Sequence, residues 1–319
     1  MAGLSLKQKV GDSITEFFII KRIDSKLKRS DNNPYLVLEL GYPEGRIWAN
    51  IWDNIDEFSG QYNTGDIVKI QGTVEQYKEQ LQIRINKIRK SVLSDDVHPE
   101  DLLPVYQGKI KNLNKKLEKE INRINEPYLK ELCRTILLDS EFNDIFSKAP
   151  GGKLWHHAYV GGLLEHTLNV VSICDLAAEL YPDVNKDLIL AGALLHDIGK
   201  AESYDIVPYV DYSDEGRLIG HIVIGYEKVK QSIDKTPDFP AELEKNLLHM
   251  ILAHQGELEK ASPVVPMTIE SIILHYADEL DAKSNAFSRI IKEQKTPDRK
   301  WSNYVNLMDR FIYFGGNNS

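Results

Sequence analysis

Six side chains in the second half of the chain could together hold metal ions: His166, the adjacent pair His196 and Asp197, His221, His254 and Asp278. Each lies in or beside an apolar stretch of helical periodicity, so each is set to be buried, and a buried imidazole or carboxylate needs a partner. Imidazole supplies a nitrogen donor, while carboxylate supplies charge neutralisation and a bridging group. Together they suit a borderline divalent cation. One such histidine alone would read as a hydrogen-bonded core residue; six candidates in order along successive helices favour a shared metal. Eight of the nine histidines fall between His156 and His275, which places the chemistry in this half. Lys200, three residues after Asp197, could neutralise an anion as charge develops on it; the alternative is a solvent-facing lysine after a helix end.

The elements that must position these groups are helices. Gly192-Ala193-Leu194-Leu195 reads as the last buried turns of one, with Gly199 expected to end it in a left-handed conformation. Helical patterns cover about 155–180, 186–198, 220–234, 240–254 and 268–292, and Ile269, Ile272, Ile273, Tyr276, Ala277 and Leu280 give the last its apolar face. Upstream, Lys109–Ile124 reads as a charged amphipathic helix and Pro127 as the first turn of another that runs through Leu137. Gly161-Gly162 would allow a close helix approach. Of the tandem His156-His157, His157 is read as a contact for a substrate phosphate. His156, His249 and His275 are read as structural, His275 lying one turn before Asp278 and so able to orient it or another group nearby. Glu165 points to a different helix face and is not assigned to the metal.

The first 90 residues follow another rule. Apolar runs with period-two alternation, Phe17–Ile23, Tyr35–Leu40, Arg46–Trp52, Ile67–Val74 and Gln80–Ile88, are separated by turn residues. Five strands in about 80 residues predict a small barrel, and a helix-like segment from Asn54 to Tyr62 between the third and fourth strands is the placement seen in OB-folds. Leu36, Leu38, Leu40, Ile47, Ala49 and Ile51 would point inward, leaving Tyr35, Trp48, Asn50 and Trp52 outside. Exposed aromatics beside a loop containing Lys21, Arg22, Lys26, Lys28 and Arg29 match the way OB-folds stack and neutralise single-stranded nucleic acid. The alternative is that these aromatics pack against the other domain.

Charge and composition agree with two halves. Residues 1–90 carry 14 Lys+Arg and 12 Asp+Glu, leaving a net of −11 for the remainder of a chain whose total is −9. The N-terminal part is therefore the polyanion binder of the two. The organisation expected is multidomain: an N-terminal β-barrel at 1–92, a polar linker and helical spacer at 93–150, and an all-α domain at 151–319. Two cysteines, Cys133 and Cys174, both inside apolar helical patterns, argue against a structural disulfide. No apolar run reaches the length of a membrane span, and a soluble, cytoplasmic protein is expected. The oligomeric state is not readable from the sequence.

The order His166, His196-Asp197, Asp278 resembles the HD-domain superfamily of metal-dependent phosphohydrolases, and His221 and His254 match the extra histidines of its dinuclear members. Those often show two adjacent histidines at the later site, where this chain has His254-Gln255. With the barrel in front, Trp-His-His-Ala-Tyr-Val-Gly-Gly-Leu-Leu-Glu-His-Thr and His-Tyr-Ala-Asp-Glu-Leu-Asp-Ala-Lys are similar to the YhaM family of 3′–5′ exoribonucleases. The resemblance implies one or two divalent ions, Mn²⁺ by preference, and 3′-end trimming of single-stranded RNA, with single-stranded DNA as an additional substrate. A dinuclear centre with ions about 3.5–4 Å apart, Asp197 bridging, would present a metal-activated hydroxide to the phosphodiester. Two other readings stay open. One is hydrolysis of a small nucleotide, a dNTP or a cyclic dinucleotide, by the same helical domain. The other is a nucleic-acid-binding protein with an inactive helical domain.

Overall fold

The computed structural model describes residues 9–315 except 29, 53, 54, 59, 78, 79, 297 and 298, and omits the side chains of 56 and 57. Arg29 and Asn54 thus lie outside the described residues. The chain divides into two compact units, one of residues 1–105 with 205–210, the other of 106–204 with 211–319.

The first unit is a closed five-stranded barrel of β1 (Ser13–Leu27), β2 (Pro34–Tyr42), β3 (Gly45–Ile51), β4 (Ile67–Tyr77) and β5 (Gln80–Lys90), in the order β1-β2-β3-β5-β4. Closure depends on β1, whose first half pairs with β4 and whose second half pairs with β2. A bulge between Ile20 and Arg22 makes that turn possible by letting one strand bend away from the first partner toward the second. The Lys21 side chain crosses Gly41, where a Cβ would fall 2.4 Å from it. The barrel bends again at Gly72, beside a register shift in β4, where a Cβ would meet the Arg84 carbonyl oxygen at 2.5 Å.

Leu36, Leu38, Leu40, Ala49 and Ile51 are buried in the barrel core and Ile47 packs against it, so the alternation in sequence translates directly into inside and outside. Asn50 is the exception. Expected on the outside, it is buried, and its Nδ2 donates to Gln82 Oε1 at 2.9 Å across the parallel β3–β5 pairing. The helix-like segment after β3 is a single turn, α1 (Ile55–Phe58). Beyond β5, Pro99–Leu102 packs on β1 with Leu102 and Leu103 buried.

The second unit is helical: α2 (Ile110–Arg123), α3 (Pro127–Leu137), α4 (Ser140–Lys148), α5 (Gly162–Leu180), α6 (Lys186–Leu195), α7 (Lys200–Ser203), α8 (Asp214–Leu218), α9 (His221–Asp234), α10 (Ala241–Ala253) and α11 (Ile269–Gln294). Every residue of α6 from Leu188 to Leu195 is buried, which makes it the central rod. Asn185 caps it, accepting from the Leu188 amide at 3.1 Å. Both cysteines are free and buried, and burial pushes both thiols far up from their ordinary range. Among the described residues no helix is long and apolar enough to cross a membrane.

Two expectations about helix ends change. The helix predicted from 155 begins at Gly162, because 155–161 form an irregular turn with His157 and Gly161 at positive φ. Gly162 is needed for that turn, since a Cβ there would sit 2.0 Å from the His157 carbonyl oxygen. Gly199 does not end its helix in a left-handed conformation: its φ is −64° and ψ −19°. What demands glycine is proximity, for a Cβ would fall 2.0 Å from the His221 carbonyl oxygen and 2.6 Å from the Gly225 amide nitrogen.

Candidate metal centre

Five elements deliver the six candidate ligands to one buried place. His166 sits in the second turn of α5, His196 and Asp197 follow α6, His221 opens α9, His254 follows α10, and Asp278 is inside α11. His166, His196, Asp197 and Asp278 can bring one ligand atom each within 4.8 Å of the others, and so can Asp197, His221 and His254. The Asp197 carboxylate belongs to both groups. Its Oδ2 lies 3.4 Å from the Nε2 of both His166 and His196, while its Oδ1 lies 3.4 Å from His254 Nε2 and 3.5 Å from His221 Nε2. His166 Nε2 also stands 3.1 Å from Asp278 Oδ1.

The other ring nitrogens fix the tautomers. His196 Nδ1 donates to the Ala193 carbonyl at 2.8 Å and His254 Nδ1 donates to the Ile251 carbonyl at 2.7 Å, so the two helix ends use the same device three residues back. A histidine donating through Nδ1 turns an Nε2 lone pair inward. Nε2 of His221 and of His254 makes no hydrogen bond, although both atoms are buried. Imidazole lone pairs and carboxylate oxygens converging without protons between them would repel one another, and a cation removes that repulsion. The charge balance agrees: Asp197, Asp278 and Asp281 are buried against one buried ammonium, Lys200. With the histidines neutral, as metal binding requires, two uncompensated negative charges remain, which a divalent cation would neutralise. The donor set therefore fits a divalent transition metal.

Electrostatics follow the same logic. Burial pushes the Asp197 carboxyl up, but Lys200, His196 and His166 outweigh it and hold it well below its ordinary range. Burial pulls His166 down, yet Asp197, Asp278 and Asp281 lift it well above. His221 faces fewer carboxylates and burial dominates, bringing it down to about 3, which keeps it neutral and able to bind metal.

One alternative falls away and one chemical expectation changes. Lys200 is not solvent-facing but 6 % exposed, with Nζ 2.6 Å from Asp197 Oδ2. His157 has no ring nitrogen left for a phosphate, because Nε2 is 2.8 Å from Asp281 Oδ2 and Nδ1 is 2.9 Å from the Tyr159 hydroxyl. Both nitrogens of its neighbour His156 are buried without a hydrogen bond, and that ring lies 5.3 Å, centroid to centroid, from His166. His275 orients the His254 carbonyl rather than Asp278, with Nδ1 at 2.9 Å from it. Its ring fills the space that a side chain at Gly256 would need. Glu165 accepts a hydrogen bond from Tyr159 and belongs to none of the metal-ligand groups among the described residues, its Oε2 lying 3.4 Å from His157 Nδ1.

The residue missed from sequence is Asp281. Its Oδ2 lies 2.6 Å from His166 Nδ1, and its Oδ1 accepts from Asn169 Nδ2 at 2.9 Å. It thereby fixes the inward nitrogen of His166. The signal was available: Asp281 follows Asp278 by three residues and so shares its face of α11.

On the barrel, Tyr35 and Trp52 stack on each other with ring centroids 4.5 Å apart, and Trp48 on the outer surface is 39 % exposed. Lys28 Nζ lies 6.0 Å from the centroid of the Trp52 ring, and Lys26 is an exposed residue of β1 opposite Tyr35.

A family model described as HD domain matches residues 163–283, and one described as OB-fold nucleic acid binding domain matches 19–91. Among solved structures, the HD domain of the L. monocytogenes phosphodiesterase PgpH is 19 % identical with a TM-score of 0.29, covering 53 % of this chain and 81 % of that one. The second OB-fold domain of replication protein A from Methanococcus maripaludis is 18 % identical with a TM-score of 0.22, covering 29 % and 95 %. A curated relative, the 3′-5′ exoribonuclease YhaM of Geobacillus sp. (strain WCH70), is 31 % identical over 295 residues, 92 % of this chain and 90 % of that protein. Barrel, metal-ligand order and near full-length similarity converge, and the chain belongs to the YhaM family of 3′–5′ exoribonucleases.

Proposed function

We propose that this protein is a metal-dependent exoribonuclease that shortens single-stranded RNA from its 3′ end. The observation that carries this reading is one buried carboxylate, Asp197, turned toward two clusters of ring nitrogens in a chain of this family. His166, His196, Asp197 and Asp278 would hold one divalent ion, and Asp197, His221 and His254 a second, with Mn²⁺ the metal we assign. Such ions supply Lewis acidity toward a phosphoryl oxygen and an activated water near neutral pH.

The chain's own groups do the rest. Lys200 holds the Asp197 carboxyl well below its ordinary range, which favours the charged form of the oxygens shared by both ligand groups. Lys200 brings a positive charge to a centre that three carboxylates would otherwise make repulsive to a phosphodiester. Asp281, Ala193 and Ile251 hold three histidines in the tautomer that presents Nε2. We place His156, rather than His157, against the substrate phosphate. On the barrel, Tyr35, Trp48 and Trp52 offer ring faces, and Lys26 and Lys28 supply charge. RNA is the assigned polymer, single-stranded DNA a weaker alternative, and the free buried cysteines suit a reducing cytoplasm.

The test is a 5′-labelled single-stranded RNA incubated with purified protein and Mn²⁺, or with chelator. A metal-dependent ladder receding from the 3′ end, with mononucleotides released, is expected. RNA left intact with each divalent metal, while a dNTP or a cyclic dinucleotide is hydrolysed, would overturn the polymer reading.

A further inference from the structure

The last described stretch of the helical unit is a small hairpin with two unlike faces. Trp301 pairs with Tyr313 and Val305 with Arg310 in antiparallel bridges. Inward, Met308, Ile312 and Phe314 form a core of their own with Ala286 and Ile290 of α11, and Trp155 packs against it. Outward, Trp301, Tyr304, Phe311 and Tyr313 are 53 %, 46 %, 57 % and 54 % exposed. The scaffold is thus fixed by the inner residues, and the outer rings are not needed to build it. Trp301 and Tyr313 lie 4.8 Å apart at 47°, Tyr304 and Phe311 5.1 Å apart at 68°. Tilted pairs leave ring faces open.

Charge identifies the occupant. Residues 289–315 contain six Lys and Arg against three Asp and Glu, whereas residues 91–319 as a whole carry a net of −11. Lys300 and Arg310, flanking the rings, are exposed. A second copy meeting this face with its own would set like charges against each other. Aromatic faces bordered by cations in an acidic unit suit a polyanion with flat bases, that is, single-stranded nucleic acid. Location adds to this: Asp278 and Ala286 stand on the same helix, about 12 Å apart along its axis, and Trp155 directly precedes His156.

We propose that this outer face is a second single-strand-binding surface, on the helical unit itself, which stacks bases of the RNA being degraded. It rests on the exoribonuclease reading. The test compares wild type with Trp301→Leu/Tyr313→Leu, which keeps apolar bulk, and with Trp301→Ala/Tyr313→Ala. Binding of a fluorescent 20-nucleotide RNA is measured by anisotropy in chelator, hydrolysis of a mononucleotide p-nitrophenyl ester in Mn²⁺, and assembly by sedimentation velocity. Both variants are expected to bind RNA about 10-fold more weakly, with ester hydrolysis and sedimentation unchanged. Unchanged RNA affinity overturns the proposal, and if sedimentation alone shifts, the face joins copies of the chain instead. Wild-type protein that binds no RNA would bring down the exoribonuclease reading itself, a result distinct from a variant that binds as well as wild type.

Discussion

The barrel and the metal centre solve opposite problems. On the barrel, the groups assigned to RNA are at the surface, and each acts through its own ring or charge: Tyr35 against Trp52, Trp48 alone, Lys28 over an indole. In the centre the groups are buried and share partners, so that Asp197 alone answers to four histidines and a lysine. Surface contacts add up in small increments. Buried charges stand or fall together, because removing one leaves the others without compensation. Substitutions should therefore act gradually in the first region and abruptly in the second.

The largest expected effect is that of Asp197→Asn, which keeps shape and removes the shared charge. RNA degradation should fall about 10³-fold or more, while RNA binding in chelator stays within about twofold of wild type; a variant that degrades RNA at a near-normal rate would break the contrast. Asp281→Asn tests whether the support behind a ligand counts as part of the centre. A metal affinity weaker by about 10- to 100-fold is expected, read by titration calorimetry with Mn²⁺. A normal affinity would confine the interlocked region to the ligands themselves.

On the barrel, Trp52→Ala should weaken binding of long RNA about 10-fold, raising KM with kcat unaltered, and leave a mononucleotide ester untouched. An equal loss on the small substrate would mean that the two regions are not separable. The smallest effect expected is at Asp175, whose carboxylate on α5 pairs with Arg123 of α2 at 2.6 Å and Lys186 of α6 at 2.8 Å. Burial raises this carboxyl, but Arg123 and Lys186 together take it below its ordinary value. A depressed carboxyl contributes stability that is complete above the unfolded value, near 4, and is lost as pH falls through the folded value. Asp175→Asn should thus cost about 1 kcal/mol at neutral pH, measured by urea unfolding, and the gap from wild type should close on acidification below about pH 4. A gap that widened with acid would contradict the pairing.

How much could be read from the chain differs between the regions for a physical reason. Period-two alternation is a local property, so Leu36, Leu38 and Leu40 could be placed in the barrel core directly. Asn50 could not, since its burial depends on Gln82, far away in sequence. The candidate ligands could be picked out because type and order carried them, and His166, His196, Asp197, His221, His254 and Asp278 do come together. Their supporting partners were less so. His157 and Asp281 lie 124 positions apart, and nothing local announces that one would occupy the other's ring nitrogen. Gly199 shows the same limit, because the usual reason for glycine at a helix end is conformation, whereas here it is the nearness of the α9 backbone, 22 residues on.

The state of the two cysteines has a practical consequence. Cys133 and Cys174 are wholly buried with thiols held in the protonated, unreactive form. A cysteine introduced at the exposed position of Leu307 or Leu27 would then be the fast-reacting thiol of the folded chain without prior removal of the native pair. One fluorophore at either place would report RNA arriving at the hairpin or at the barrel, so the order in which the two surfaces engage the strand can be timed in the otherwise natural protein.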